Sequence, residues 1–285
     1  MRNFLATMTG IALAASWALI SPLQPSALQP PGGSVNRALQ NEISAARDSA
    51  HPMQYRLRKS SPRLTTTKLM VETRDGLVAL LISVNDVPPS AGDTQKEQAR
   101  LDALLSDPGK QQHRKQSEDA DTERAMKVLR TLPDAFLYQD AGQQTTAAGA
   151  TVERYTFTPN PRFNPPDLET QILTQMTGEI WIDPVHERVA HLEGHLQSDV
   201  DFGWGVLGRL YKGGSVTIDQ ADVGNGVWRI THFQMKMSGR VLFKSKVFDT
   251  TEEESHFAPV PTSLDYKQAI QMLRDTQKGL TSESH

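Results

Sequence analysis

Cysteine is absent from all 285 residues. That excludes a disulfide framework, a lipobox-type lipid anchor, thiolate catalysis and any Cys-ligated metal. Charge of one sign is missing too: 30 basic residues face 33 acidic ones, a formal net charge of −3. Such a balance gives no field for nucleic acid, which is not expected as a partner. There is no G-x-S-x-G nucleophile elbow, since "GGSVN" and "GGSVT" have the wrong outer spacing, and no Ser-His-Asp constellation can be assembled. No internal repeat is visible.

What is present begins at the N-terminus. Arg2 precedes an apolar run from Phe4 to Ile20, followed by a Pro/Ser/Gln stretch. This is the layout of a secretory signal peptide, with Ala27 as the best cleavage position, so residues 1–27 are assigned to the signal and 28–35 to a linker. The run sits at the short limit of the roughly 17–25 residues that span a bilayer, so an uncleaved membrane anchor is the alternative. The expected location is periplasmic or secreted. About 250 mature residues without disulfides can be held by one large core.

Along the rest of the chain, "NRALQNEISAARDSA" reads as a short helix with Asn36 as its cap. "YRLRKSS", "TTTKLMVETR" and "LVALLISVND" read as strands, the last apolar on both faces and so expected to be covered on both. Asp75-Gly76 is a strong hairpin signal. Two amphipathic helices then occupy an insertion at residues 90–132, with Pro133 ending the second. The polar runs "KQQHRKQSEDAD" and "TTEEES" read as solvated faces or loops. From "DAFLYQD" onward almost everything is β: "TVERYTFTP", "TGEIWID", "RVAHLEGHLQSDVD", "VLGRLYKG", "GSVTIDQADV", "VWRITHFQMKMSG" and "RVLFKSKVFDTTEEE", joined by short turns. A closing helix follows, with Thr262 and Asp265 at capping-box spacing, and residues 277–285 are expected to be a disordered tail. The fold class expected is α+β: one strongly curved antiparallel sheet, an incomplete barrel, with helices on its concave face, forming a single domain over 36–276.

Two motifs invite a catalytic reading. In "HLEGH", period-two alternation puts His191, Glu193 and His195 on one face of a strand. A third ligand from a neighbouring strand, with His186 and His232 as the nearest candidates, would complete a zinc site and a secreted metal-dependent hydrolase. The pattern is not the helical H-E-x-x-H, and it is read as the polar, solvated side of an antiparallel strand, with no metal expected. "GWGVLG", at 203–208, matches G-x-G-x-x-G, but a dinucleotide site needs a parallel βαβ unit that a meander lacks. Its glycines read as sharp bends in curved strands, and no nucleotide or other cofactor is implied. Asp183, Asp199, Asp201 and Asp219 sit at strand ends and turns, where Asp is ordinary turn chemistry.

Several strands carry apolar residues on both alternations. "VWRITHFQMKM" sets Trp228 and Ile230 on one side against Val227, Phe233, Met235 and Met237 on the other. A curved sheet with helices in its hollow is the economical way to bury this surface. Met176, Trp181, Phe233, Met235 and Met237 are then the expected lining of a ligand cavity, and plain core is the alternative for each. An exported domain of helix, three strands, two-helix insertion and long meander resembles the half-barrel superfamily of periplasmic lipoprotein carriers, the LolA/LolB-like proteins, with the sensor domain of RseB-type regulators as a relative. The pieces "LPDAF" (Leu132–Phe136), "FTPNPRFNPP" (Phe157–Pro166) and "GEIWID" (Gly178–Asp183) are similar to ones in uncharacterised bacterial envelope proteins. The resemblance implies a hydrophobic cavity holding lipid or lipoprotein acyl chains and no catalysis. An envelope protein-interaction or sensor module without ligand is the second reading, and the metal-dependent hydrolase the third.

Overall fold

The computed structural model describes residues 33–146, 149–202, 208–242 and 244–282. The signal and most of the linker expected from the sequence, and five of the six "GWGVLG" residues, lie outside them. Every strand pairing is antiparallel, in one 12-stranded sheet that is not closed into a barrel. Its order is β3 (Val78–Val84), β2 (Thr65–Val71), β1 (Met53–Ser60), β12 (Lys244–Pro259), β11 (Trp228–Val241), β10 (Ser215–Asp222), β7 (Arg188–Leu196), β6 (Met176–Asp183), β5 (Thr151–Pro159) and β4 (Phe136–Thr145). Two short strands, β8 (Val200–Phe202) and β9 (Gly208–Leu210), pair with each other, and β9 also pairs with β11. The expected α+β class with an open antiparallel sheet is what the chain forms. The strands flanking "GWGVLG" are themselves an antiparallel pair, Phe202 opposite Gly208, so no parallel βαβ unit stands there.

Helices lie on both faces of the sheet, not on one. α1 (Gly33–Ala45) and the second half of α3 (Pro108–Ala135) pack Val35, Leu39 and Leu132 against Phe136, Phe157, Ile180 and Ile182. At the β3 end, α2 (Ala91–Ser106) and α4 (Tyr266–Ser282) cover the opposite face, with Leu101, Leu104, Ile270 and Leu273 against Val71, Val78 and Leu80. Register separates the two: Tyr55, Met70 and Ala79 lie directly across from one another and face the first side, so Leu69, Val71 and Leu80 face the second.

Boundaries differ from the sequence expectation where side-chain chemistry decides. α1 starts at Gly33, so Asn36 lies within the helix and does not cap it. α3 carries Pro133 inside its last turn and ends at Ala135, where Phe136 turns extended; so close to the end the ring costs one backbone hydrogen bond and does not stop the helix. The capping box of α4 lies three residues later than expected. Asp265 accepts from the Gln268 amide at 2.8 Å and Gln268 Oε1 accepts from the Asp265 amide at 3.1 Å. The helix also runs to Ser282, through most of the segment expected to be a tail.

The polar run of α3 is solvated on one side only: Gln112, His113, Gln116, Ser117 and Asp119 are exposed, whereas Gln111, Arg114 and Glu118 turn toward the sheet. β3 is an edge strand, with a row of backbone groups that no strand pairs, and α2 and α3 supply their partners. Glu97 accepts from Leu81 N at 2.8 Å, Glu118 from Leu77 N at 2.9 Å, and Arg114 donates to Leu77 O at 3.2 Å. Arg100 donates to Ala79 O, and Gln111, only 2% exposed, donates to Asp75 O at 2.9 Å. Side chains of the insertion thus occupy the positions a further strand would take, which blunts an edge otherwise open to another chain. Burial raises the Glu97 carboxyl, but the Arg100 guanidinium and the Leu81 amide outweigh it and hold the group below its ordinary range. The stability it contributes is therefore full above the ordinary carboxylate pKa of about 4.3 and is lost as pH falls through the lowered folded value.

Glu118→Ala leaves the Leu77 amide without an acceptor and is expected to cost about 1–3 kcal/mol. Hydrogen exchange at the Leu77 amide should accelerate while exchange in β6 and β7 changes little. Equal acceleration at both places would mean that Glu118 does not cap this edge.

Candidate functional site

Between the sheet and α1, α3 and a short 3₁₀ helix (Thr170–Gln175) lies a cavity of about 670 Å³. It falls inside the roughly 300–1,000 Å³ range of small-molecule sites. Side chains from β4, β5, β6, β7, β10 and β11 line it from one face of the sheet, and Val128, Leu129 and Ile172 face them across the hollow. That so many consecutive strands reach one cavity makes this face concave. Two glycines let the wall bend inward. Gly178 and Gly194 lie directly opposite each other, and a Cβ on Gly178 would meet Glu193 O at 1.8 Å and the Phe157 ring at 2.7 Å. Phe157 and Met176 lie over this gap, filling it with side chains from neighbouring positions.

The cavity has a polar end and an apolar end. At one end Arg188 donates to both carboxylate oxygens of Glu42 at 2.8 Å, and Glu42 also accepts from Val189 N at 2.9 Å. The Arg188 guanidinium lies 5.8 Å over the Trp228 ring. Arg229 stands 3.6 Å from Glu72 and donates to His51 O at 2.8 Å. Further along the same strands the lining becomes Leu192, Val216, Met176 and Met237 without a charge among them. Gln220 and Val216, four residues apart on β10, mark the two ends, a separation of about 13 Å at 3.3 Å per residue.

Of the five residues expected to line the cavity, Met176 and Met237 do. Phe233 and Met235 share the concave face by register, opposite Ile218 and Val216, yet neither is among the lining side chains. Trp181 is on the other face. Ile180 and Ile182, each 1% exposed, take the inward alternation of β6 and leave the tryptophan outside. Trp228 and Ile230, placed by simple alternation on the side opposite Phe233, are cavity residues. The cause is a bulge: Asp219 pairs with His232 but Gln220 with Ile230, so Thr231 is skipped and the two halves of β11 present the same face. The apolar residues on both alternations of "VWRITHFQMKM" were the signal for this.

Outside, the "HLEGH" side chains form a polar ladder with Trp181 in its middle. His191 packs at a tilt against the Trp181 ring with centroids 4.5 Å apart, and its Nδ1 lies 2.6 Å from Asp219 Oδ1. His195 Nε2 is 2.9 Å from Glu193, whereas His191 Nε2 is 3.9 Å from it. Trp181 Nε1 donates to Glu179 at 3.0 Å, and Arg154 donates to the same carboxylate at 2.7 Å. These two donors, the indole first, hold the Glu179 carboxyl below its ordinary range. The third partner of His191 is thus Asp219 of β10, with neither His186 nor His232 reaching the pair. Among the described residues no group of three or more His, Cys, Asp or Glu has the geometry to hold a metal ion.

No protein-family model matches the chain. No curated protein is similar to it. Among solved structures it is similar to a DUF1329 family protein from Desulfovibrio piger, at 10% identity and a TM-score of 0.31, covering 81% of this chain and 93% of that one. At that score the likeness carries no weight for fold or function.

On the same concave face, beyond β11, Glu254 lies across from Leu57. Burial, then Glu252 and Glu72, push its carboxyl up to about 7, with Arg229 opposing. A carboxyl raised in the folded state favours folding while protonated, and that contribution is lost as pH rises toward 7. Glu254→Gln should therefore raise the melting temperature at pH 8 and change it little at pH 4; equal shifts at both would contradict the assignment. At the polar end, Glu42→Ala leaves the half-buried Arg188 guanidinium without its carboxylate partner and is expected to cost about 1–3 kcal/mol in chemical denaturation. The paired change Glu42→Leu with Arg188→Met should recover most of that loss.

Proposed function

We propose that this protein is an exported cell-envelope protein that holds a lipid, or the acyl chains of a lipoprotein, in its half-barrel cavity and catalyses no reaction on it. The single observation that carries the reading is the 670 Å³ hollow with a charged end and an apolar end. An amphiphile has the same polarity gradient. The architectural resemblance to LolA/LolB-like carriers points the same way. Rim residues are exposed, Ile230 at 38%, so the hollow opens to solvent and a guest can enter without unfolding the wall. An acyl chain of about 15 methylenes gains on the order of 12 kcal/mol on burial at about 0.8 per methylene, against at least about 4 for association. Affinity of this kind needs no motif, only an apolar wall of suitable length.

Extraction of the gently purified protein with organic solvent, followed by mass spectrometry, should yield a stoichiometric amphiphile. A long-chain fatty acid bearing an environment-sensitive fluorophore should bind saturably to the emptied protein. Ala125→Trp places a large ring at the rim from an exposed helical position, where the core is not disturbed, and should weaken probe binding at least about tenfold, or 1.4 kcal/mol. Absence of both a co-purified amphiphile and saturable probe binding would sink the carrier reading and leave the interaction module.

A further inference from the structure

The β11–β12 hairpin extends past the apolar end of the cavity, and its tip is more apolar than the other described turns of the sheet. Val241, Leu242, Val247 and Phe248 are 49%, 52%, 74% and 42% exposed, the densest run of exposed large apolar side chains among the described residues. Leu242 holds a left-handed backbone at φ 54°, a position that favours glycine or asparagine. A bulky apolar residue is retained there at a conformational cost. Lys244 and Lys246 stand exposed between the apolar positions. No acidic residue occurs from Gly239 to Phe248.

We infer that this tip docks on the surface of an anionic bilayer, its aliphatic and aromatic side chains entering the headgroup region and Lys244 and Lys246 facing lipid phosphates. Exposed apolar side chains among lysines match an interface that is greasy within and negative at its surface. The chain as a whole is acidic, at −3, so attraction to such a surface is local to this hairpin rather than diffuse. Continuity with the cavity gives the docking a purpose. Phe248 lies directly opposite Met237, which lines the cavity. A second hollow of about 490 Å³ beneath the tip, between Val241, Phe248, Leu210 and Phe202, shares Ile172 with the main cavity. A docked tip would therefore set the apolar end of the cavity beside the membrane, a consequence that rests on the carrier reading, whereas docking itself does not.

The test uses the whole chain with vesicles of phosphatidylethanolamine and phosphatidylglycerol, against vesicles of phosphatidylcholine alone, read by co-sedimentation and by hydrogen exchange. Exchange at residues 240–248 should slow on the anionic vesicles only. Lys244→Glu with Lys246→Glu should lower partitioning at least about tenfold, given about 1 kcal/mol per basic residue at such a surface and the repulsion added by reversal. Val247→Ser with Phe248→Ser should lower it comparably. Both pairs should leave binding of the fluorescent fatty acid unchanged. That separates failure of docking from failure of the carrier reading, since either can be lost while the other stands. Vesicle binding with unaltered exchange at 240–248 means that another part of the chain does the binding, and it overturns the proposal. Slowed exchange there without vesicles, growing with protein concentration, assigns the tip to a second copy of the chain and also overturns it.

Discussion

An open sheet of twelve strands has two edges and one curved face that must be kept from collapse, and a single device, the α2–α3 arm, manages both. β3 and β4 are the terminal strands of the sheet, and the arm is the chain segment between them in sequence. Its first part satisfies the backbone of β3 through Glu97 and Arg100, and that of the turn leading into it through Gln111, Arg114 and Glu118. Its last part buries Leu132 and Ala135 beside Phe136 and Tyr138 of β4. α3 has 28 residues, about 42 Å at 1.5 Å per residue. A continuous helix of that length, fixed at one edge by hydrogen bonds and at the other by apolar packing, acts as a strut across the open side. It sets how far the sheet can close, and so the width of the hollow under it.

This explains which parts of the fold were legible in the sequence. Strands, meander and helical insertion follow from periodicity, because each is a local pattern of apolar spacing. The function of the insertion does not. Gln111, Arg114 and Glu118 look like a solvated helix face, since the groups they satisfy belong to Leu77 and Asp75, distant in sequence and invisible to a local reading. LVALLISV is apolar on both faces, yet it is an edge strand. Helices supply both its second cover and its missing hydrogen bonds.

The candidate site shows the same division more sharply. Met176 and Met237 fall on the cavity wall as alternation implies. Trp228 and Ile230 reach it through a bulge that skips Thr231, and Trp181 leaves it because two isoleucines outcompete one tryptophan for the inner alternation. Period two tells which residues share a face but not which face is inner. One skipped residue reverses the answer for everything beyond it. The histidines of HLEGH illustrate the converse: they do share a face, but Asp219 and the Trp181 ring occupy His191.

A cavity of this size places its own demand on the fold. Dry voids in protein cores cost about 24 cal/mol per Å³, so 670 Å³ held empty and sealed would cost on the order of 16 kcal/mol, about the whole stability of a typical domain at roughly 5–15 kcal/mol. The molecule avoids that cost by leaving the hollow open at its rim, where Ile230, Ala46 and Ala125 are exposed. Water then wets an apolar wall it solvates poorly, and any guest that displaces it recovers about 25 cal/mol for each Å² of that wall removed from water. The Glu42–Arg188 pair keeps the polar end from being filled by apolar side chains, and the α3 strut keeps the sheet from curling shut. Hollow, helix and ion pair are therefore one arrangement, in which packing at the sheet's edges and a charge pair at one end leave an apolar wall uncovered among the described residues.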